Sequence, residues 1–138
     1  MNDVIVGVDG SETARRAATA AARLAAAWDV NLHVVTCVDR NEPRTVSAGG
    51  DQFQVNGMEE AEQLVRSIAR DLDHDQITMR AAVGDPAVVL AEEAEERNAQ
   101  TIVVGNKRVQ GVSRVLGSVA SAVLRAAPCD VLVAQTRA

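Results

Sequence analysis

Hydrophobic and polar positions change period in a regular order along this chain. Residues 3–8 (Asp-Val-Ile-Val-Gly-Val) form a short β-branched run that reads as a buried strand. Asp9-Gly10-Ser11 closes it, with Ser11 as the predicted N-cap and Glu12 favouring the positive end of the helix that follows. From residue 12 to about 28 the period becomes helical, with Ala14, Ala17, Ala18, Ala21, Leu24, Ala25 and Trp28 on the core stripe and Arg15, Arg16 and Arg23 on the solvated side. Residues 30–38 predict a second strand. Residues 58–71 predict a second helix with Ala61, Leu64, Val65, Ile68 and Leu72 inward. Residues 76–83 predict a third strand of weaker type. Gly84-Asp85-Pro86 is a strong start for a third helix, with Asp85 as N-cap and Pro86 in the first turn, running to about residue 98. Glu92, Glu93, Glu95 and Glu96 read as its solvent face. A fourth strand at 101–104, a fourth helix at 118–126 ended by Pro128, and a fifth strand at 129–135 complete the series.

Residues 39–57 break the pattern. They hold Asn41, Pro43, Ser47, Gly49, Gly50, Asn56 and Gly57 without a clear period, which is long for a connection in a compact domain. The segment reads either as a lid or as an unstructured insertion, with Phe53 as its anchor.

Strands alternating with helices imply a parallel sheet covered on both faces, in the flavodoxin-like order or the related order 3-2-1-4-5. In such sheets ligands bind beyond the carboxyl ends of the strands, where the strand order reverses. In the second order that point lies between the first and fourth strands. The loop after the first carries Asp9, with Glu12 close by. The loop after the fourth carries Gly105, Lys107, Arg108, Arg114, Gly117 and Ser118. A glycine-flanked loop that enters a helix N-terminus suits phosphate, because unpaired N–H groups and a partial positive charge gather there. Ser118 is the predicted N-cap. The opposite polarity of the two loops suggests a split nucleotide site, base or ribose on the aspartate and phosphate on the basic side. Ordinary turn chemistry is the plainer reading of the same glycines.

Composition sharpens this picture. The chain has 138 residues, suiting one domain over residues 1–138, and is 47% apolar but only 1% aromatic. The core must come from Val, Ala, Leu and Ile. A net charge of −5 argues against nucleic acid as main partner and makes the basic loop stand out. No run reaches a membrane span and no signal peptide is visible, so cytoplasm is the default expectation. Cys37 and Cys129 sit in apolar runs and read as buried free thiols, without the spacing of a metal site. His33 has no acidic or cysteine partner in its own stretch and reads as structural. With no GxxxxGK[ST] loop and no nucleophile elbow, catalysis is not expected beyond a slow ATPase at most.

The segments Val-Ile-Val-Gly-Val-Asp-Gly-Ser at 4–11, Val-Gly-Asp-Pro-Ala at 83–87 and the long run from Thr101 through Val133 resemble the universal stress protein family, end to end. The resemblance implies a five-stranded parallel sheet in the order 3-2-1-4-5, similar to the adenine nucleotide alpha hydrolases. It implies a homodimer through the fifth strand, residues 129–135, which ends at Gln135. For one branch of the family it implies ATP, with Mg2+ accompanying it, on the pattern G-x2-G-x9-G-[ST]; AMP or a cyclic nucleotide is the other expectation. Matched position by position, Gly105 is the first glycine, Gly117 and Ser118 are the closing pair, Asp9 is the acidic residue near adenine or ribose, and Val38 is the backbone contact to adenine. Val8, Gly10, Asn106, Lys107, Arg108 and Val119 flank these positions and complete the expected nucleotide site. Arg108 stands at the second glycine, and eight residues rather than nine follow before Gly117. Arg108 either adds a charge-assisted bond to phosphate, or the altered loop leaves a dimeric interaction module without a nucleotide.

Overall fold

The computed structural model describes residues 2–38, 44–48, 51–55, 57–106 and 116–134, the segments 44–48 and 51–55 by their backbone. Strands β1 (Val4–Val8), β2 (Leu32–Val38), β5 (Ile77–Val83), β6 (Thr101–Gly105) and β7 (Asp130–Ala134) form one parallel sheet in the order β5-β2-β1-β6-β7. Counting sheet strands alone, this is the order 3-2-1-4-5. β1 pairs with β2 on one side and β6 on the other, Val4 lying opposite both Leu32 and Thr101.

Helices α1 (Glu12–Trp28) and α2 (Gly57–Arg70) cover one face; α3 (Pro86–Arg97) and α4 (Ser118–Ala126) cover the other. Alternation along the strands divides the core accordingly. Val4, Val6, Val8, Leu32 and Val34 meet the alanines of α1 together with Val65 and Ile68 of α2. Ile5, Val35, Ile102 and Val104 meet Ala87, Leu90 and Ala94 of α3 and Ala120 and Val123 of α4. With almost no aromatic residues, α1 approaches the sheet through six buried alanines, Ala14, Ala17, Ala18, Ala21, Ala22 and Ala25.

Local chemistry sets the helix ends. Ser11 caps α1, its hydroxyl accepting from the Ala14 N–H at 3.2 Å. Asp85 caps α3 by accepting from the Val88 N–H at 3.3 Å, and Pro86 follows where no N–H is needed. Both helices end on a left-handed residue, Asp29 (φ 56°) and Asn98 (φ 51°). Gly84, at φ +142°, makes the bend from β5 into α3 in a region closed to other residues.

Several expectations are corrected. Residues 39–57 contain an antiparallel hairpin, β3 (Arg44–Ala48) with β4 (Asp51–Val55), rather than irregular chain alone. The side chain of Phe53 lies outside the described residues, as does Gln135. Trp28 is 40% exposed: it closes the last turn of a helix whose close packing rests on small residues, which leaves an indole no room beneath. Val30, Gln76 and Cys129 lie just outside the strands. The N-cap of α4 is Gly117, which offers no side-chain bond, and Ser118 is the first helical residue. Glu93 does not face solvent. It is 1% exposed, accepts from the Arg97 Nε–H at 2.8 Å, and lies against the Arg80 guanidinium. The thiols of Cys37 and Cys129 are half-buried rather than buried.

Candidate functional site

The carboxyl ends of β1 and β6, the two strands at which the order reverses, open into a cleft of about 500 Å3. Its floor and walls are apolar, built from Gly7, Val8, Val35, Pro86, Leu90 and Val104, with Cys37 among them. Asp9 and Ser11 line one side, and Gly105, Gly117, Ser118, Val119 and Ala120 line the other. The expected pairing of Asp9 with the Gly117 region across one opening is therefore present. The volume falls in the range usual for small-molecule sites.

The Asp9 side is held by a tight turn. One carboxylate oxygen of Asp9 accepts from the Ser11 N–H at 2.8 Å and from the Ser11 hydroxyl. The Ser11 hydroxyl oxygen in turn accepts from Ala14, so the turn and the start of α1 form one unit. Thr36 on β2 donates to the Val8 carbonyl at 2.8 Å, fixing the last residue of β1 beside it. Gly10 is exposed, with open space around the position a Cβ would take.

The opposite side is a helix entrance. The first bond inside α4 runs from the Ser121 N–H to the Gly117 carbonyl at 3.0 Å, so the N–H groups of Ser118, Val119 and Ala120 have no acceptor within the helix. They carry the positive end of the helix dipole at the cleft. The Gly117 N–H is bonded already, donating to the side-chain oxygen of Asn106 at 2.8 Å.

Gly105 has a packing role that its place in the sequence pattern did not announce. A Cβ there would stand 2.6 Å from the Thr13 methyl and 3.0 Å from the Thr13 carbonyl oxygen, so the absence of a side chain lets α1 seat against β6. Gly7 plays a related part on the cleft floor, where a Cβ would meet Leu90 at 2.7 Å. Val38, expected as a backbone contact, lies outside the cleft lining, and its carbonyl accepts from the Gly84 N–H at 3.0 Å. Lys107 and Arg108 lie outside the described residues, as do Gly111, Ser113 and Arg114.

Cys37 lines the cleft with its thiol pushed up to about 11, chiefly by burial and further by the charge of Asp85. Burial also raises Cys129. Beyond the cleft, on the face covered by α3, His33 is buried: its Nε2 bonds Asp3 at 2.8 Å and its Nδ1 faces the Thr78 hydroxyl. Its partners come from neighbouring strands, which is why its own stretch showed none. Among the described residues no three His, Cys, Asp or Glu side chains gather as a metal site, and no helix is long and apolar enough to cross a membrane.

An open parallel sheet with a cleft at its switch point, an aspartate on one lip and a helix entrance on the other, defines a doubly wound α/β protein, an architecture in which that point is the usual place for a ligand. The universal stress protein family model matches residues 1–135, and the chain belongs to that family. A universal stress protein of Staphylococcus aureus strain USA300 is 30% identical over 139 aligned positions, spanning 97% of this chain and 84% of the relative. A universal stress protein solved in complex with cAMP is 30% identical, with a TM-score of 0.76, over 99% of this chain and 98% of that one. The universal stress protein from Archaeoglobus fulgidus in complex with dAMP is 25% identical, with a TM-score of 0.70, over 96% and 97%.

Proposed function

We propose that this chain binds an adenine nucleotide in the cleft between β1 and β6, and that the ligand is a monophosphate, open or cyclic. The observation that carries the reading is the juxtaposition itself: an apolar slot with Asp9 on one lip and the open amides of Ser118, Val119 and Ala120 on the other. A purine is flat and largely apolar and suits the slot. A carboxylate accepts from ribose hydroxyls or a base amine, and helix-entrance amides accept an anion. The two related structures hold cAMP and dAMP, both adenine monophosphates. In this reading Val8, Asp9 and Gly10 take the nucleoside with Val38 beyond them, while Gly105, Asn106, Gly117, Ser118 and Val119 form the phosphate side, joined by Lys107 and Arg108. ATP with Mg2+ is the competing ligand. The role is binding that shifts a conformational or assembly equilibrium, not turnover.

Mass spectrometry of the small molecules released on denaturation, followed by calorimetry with cAMP, AMP and ATP, tests this. Binding of a monophosphate tenfold or more tighter than ATP is the expected result. Failure of all three to bind at millimolar concentration overturns the reading and favours an interaction module that works without a nucleotide.

The proposal includes a homodimer through β7. This strand is a sheet edge, with one row of backbone groups unpaired by the sheet, and Leu132 at its middle is 41% exposed. Light scattering at micromolar concentration should give twice the chain mass, and Leu132→Lys should return it to the single-chain mass. A wild-type monomer removes the dimer and leaves the nucleotide reading standing.

A further inference from the structure

The hydrogen bond between Asn106 and Gly117 joins residues eleven positions apart, on the lip of the cleft opposite Asp9. Asn106 is the first residue after β6, and Gly117 is the N-cap of α4. Gly117 brings no side chain to cap its helix, and its backbone sits at an ordinary φ of −65°. The side-chain bond at this helix entrance is therefore contributed from outside the helix, by the Asn106 oxygen, beside the packing of Ala120 and Val123 on the sheet. The following three amides, on Ser118, Val119 and Ala120, inherit their position from that clasp, and all three residues line the cleft.

Resting on the nucleotide reading above, we infer that Asn106 is a positioning residue for the phosphate, acting through the helix entrance it holds. Its oxygen is engaged by the Gly117 N–H, so that oxygen acts on the phosphate through the helix entrance it holds. Holding the Gly117 N–H with it ties the end of β6 to the N-cap of α4 and so steadies the angle at which α4 meets the ligand. Fixing the helix entrance before the ligand arrives removes an ordering penalty from binding. The effect falls on the phosphate half of the site, because the slot for the nucleoside is built from β1, β2 and α3 residues, away from the entrance of α4.

The experiment compares wild type, Asn106→Ala and Asn106→Asp, each with AMP and with adenosine by calorimetry, and each without ligand by thermal unfolding. In wild type the ratio of adenosine Kd to AMP Kd measures what the phosphate adds. Asn106→Ala should cut that ratio by tenfold or more through weaker AMP binding. It should also lower the unliganded Tm by about 3 °C, the effect of losing one hydrogen bond in a domain of this size. Asn106→Asp keeps an acceptor for the Gly117 N–H and places negative charge at a helix N-terminus, so its unliganded Tm should match or exceed wild type. In the same variant AMP should bind more weakly than in wild type, the loss growing as salt is lowered. An unchanged ratio in Asn106→Ala overturns the inference. So does a Tm in Asn106→Asp as low as in Asn106→Ala, which would show that the acceptor is not what matters. Should wild type bind neither AMP nor adenosine, the nucleotide reading fails, while the paired Tm values still decide whether the clasp exists.

Discussion

At the scale of single residues, the glycines separate into different trades. Gly84 answers to backbone conformation, since no other residue rests at φ +142° without strain. Gly105 answers to packing: the nearest obstacle to a side chain there includes the backbone carbonyl of Thr13, which cannot swing aside. Gly105→Ala should therefore destabilise by about 1–3 kcal/mol, because α1 must shift as a body. Urea denaturation would check this, and a midpoint within error of wild type would contradict the packing role. Gly7→Ala should be milder, since the obstacle is the movable end of Leu90. The sequence marked Gly105 for its place before a basic loop, and it lines the cleft. It concealed the packing reason, because Thr13 is distant in the chain and near only once α1 folds back. Glu93 was hidden differently. A row of four glutamates reads as a wet face, yet Ala87, Leu90, Glu93 and Ala94 recur at helical spacing on the buried side. The paired arginines, one from the neighbouring strand, make that burial tolerable.

At the scale of elements, cap chemistry was the most legible feature. Ser11, Asp85 and Pro86 stand where the helices begin, because a cap is a local bargain between adjacent residues. The entrance to α4 was misread for the opposite reason: its stabilising group, Asn106, arrives across a loop. The hairpin β3–β4 did leave a local signal. Gly49-Gly50 sits between two runs, Arg-Thr-Val-Ser-Ala and Asp-Gln-Phe-Gln-Val, and a pair of glycines between such runs is a hairpin connection. The end of α3 yields a prediction at this scale. Asn98 holds a left-handed conformation while its N–H bonds the Ala94 and Glu95 carbonyls. Glycine adopts that conformation without the Cβ penalty, so Asn98→Gly should stabilise the protein by a few tenths to about 1 kcal/mol. A lowered denaturation midpoint would show that the asparagine side chain matters there more than the backbone.

For the molecule as a whole, the layered α/β architecture followed from the alternation of periods, and the strand order from the family resemblance. The parallel sheet then brought together what the chain keeps apart. Asp3 just before β1, His33 of β2 and Thr78 of β5 form a polar cluster on the face that α3 covers. Burial holds the His33 imidazole below its ordinary 6.5, its hydrogen bond to Asp3 pulling the other way and the charge of Arg97 adding to the depression. Unfolded, His33 takes up a proton near 6.5; folded, it resists until lower pH. The stability contributed by the neutral ring is therefore complete above pH 6.5 and is lost as the pH falls from there toward the folded value. Denaturation midpoints at pH 7.5, 6.5 and 5.5 should decline for wild type, and His33→Gln, which cannot take the proton, should flatten that decline. A wild-type curve as flat as the variant's would assign the ring a purely packing role.

The half-buried sulfur beside the cleft floor has a practical consequence. A thiol at about 11 is, at neutral pH, about one part in ten thousand thiolate, and the thiolate is the species that alkylating reagents attack. Cys37 in the native protein should then label with maleimide far more slowly than a free cysteine, while opened molecules label at the ordinary rate. The protein thus carries an intrinsic clock for local opening, and any small molecule that seats over that sulfur should slow it in proportion to occupancy.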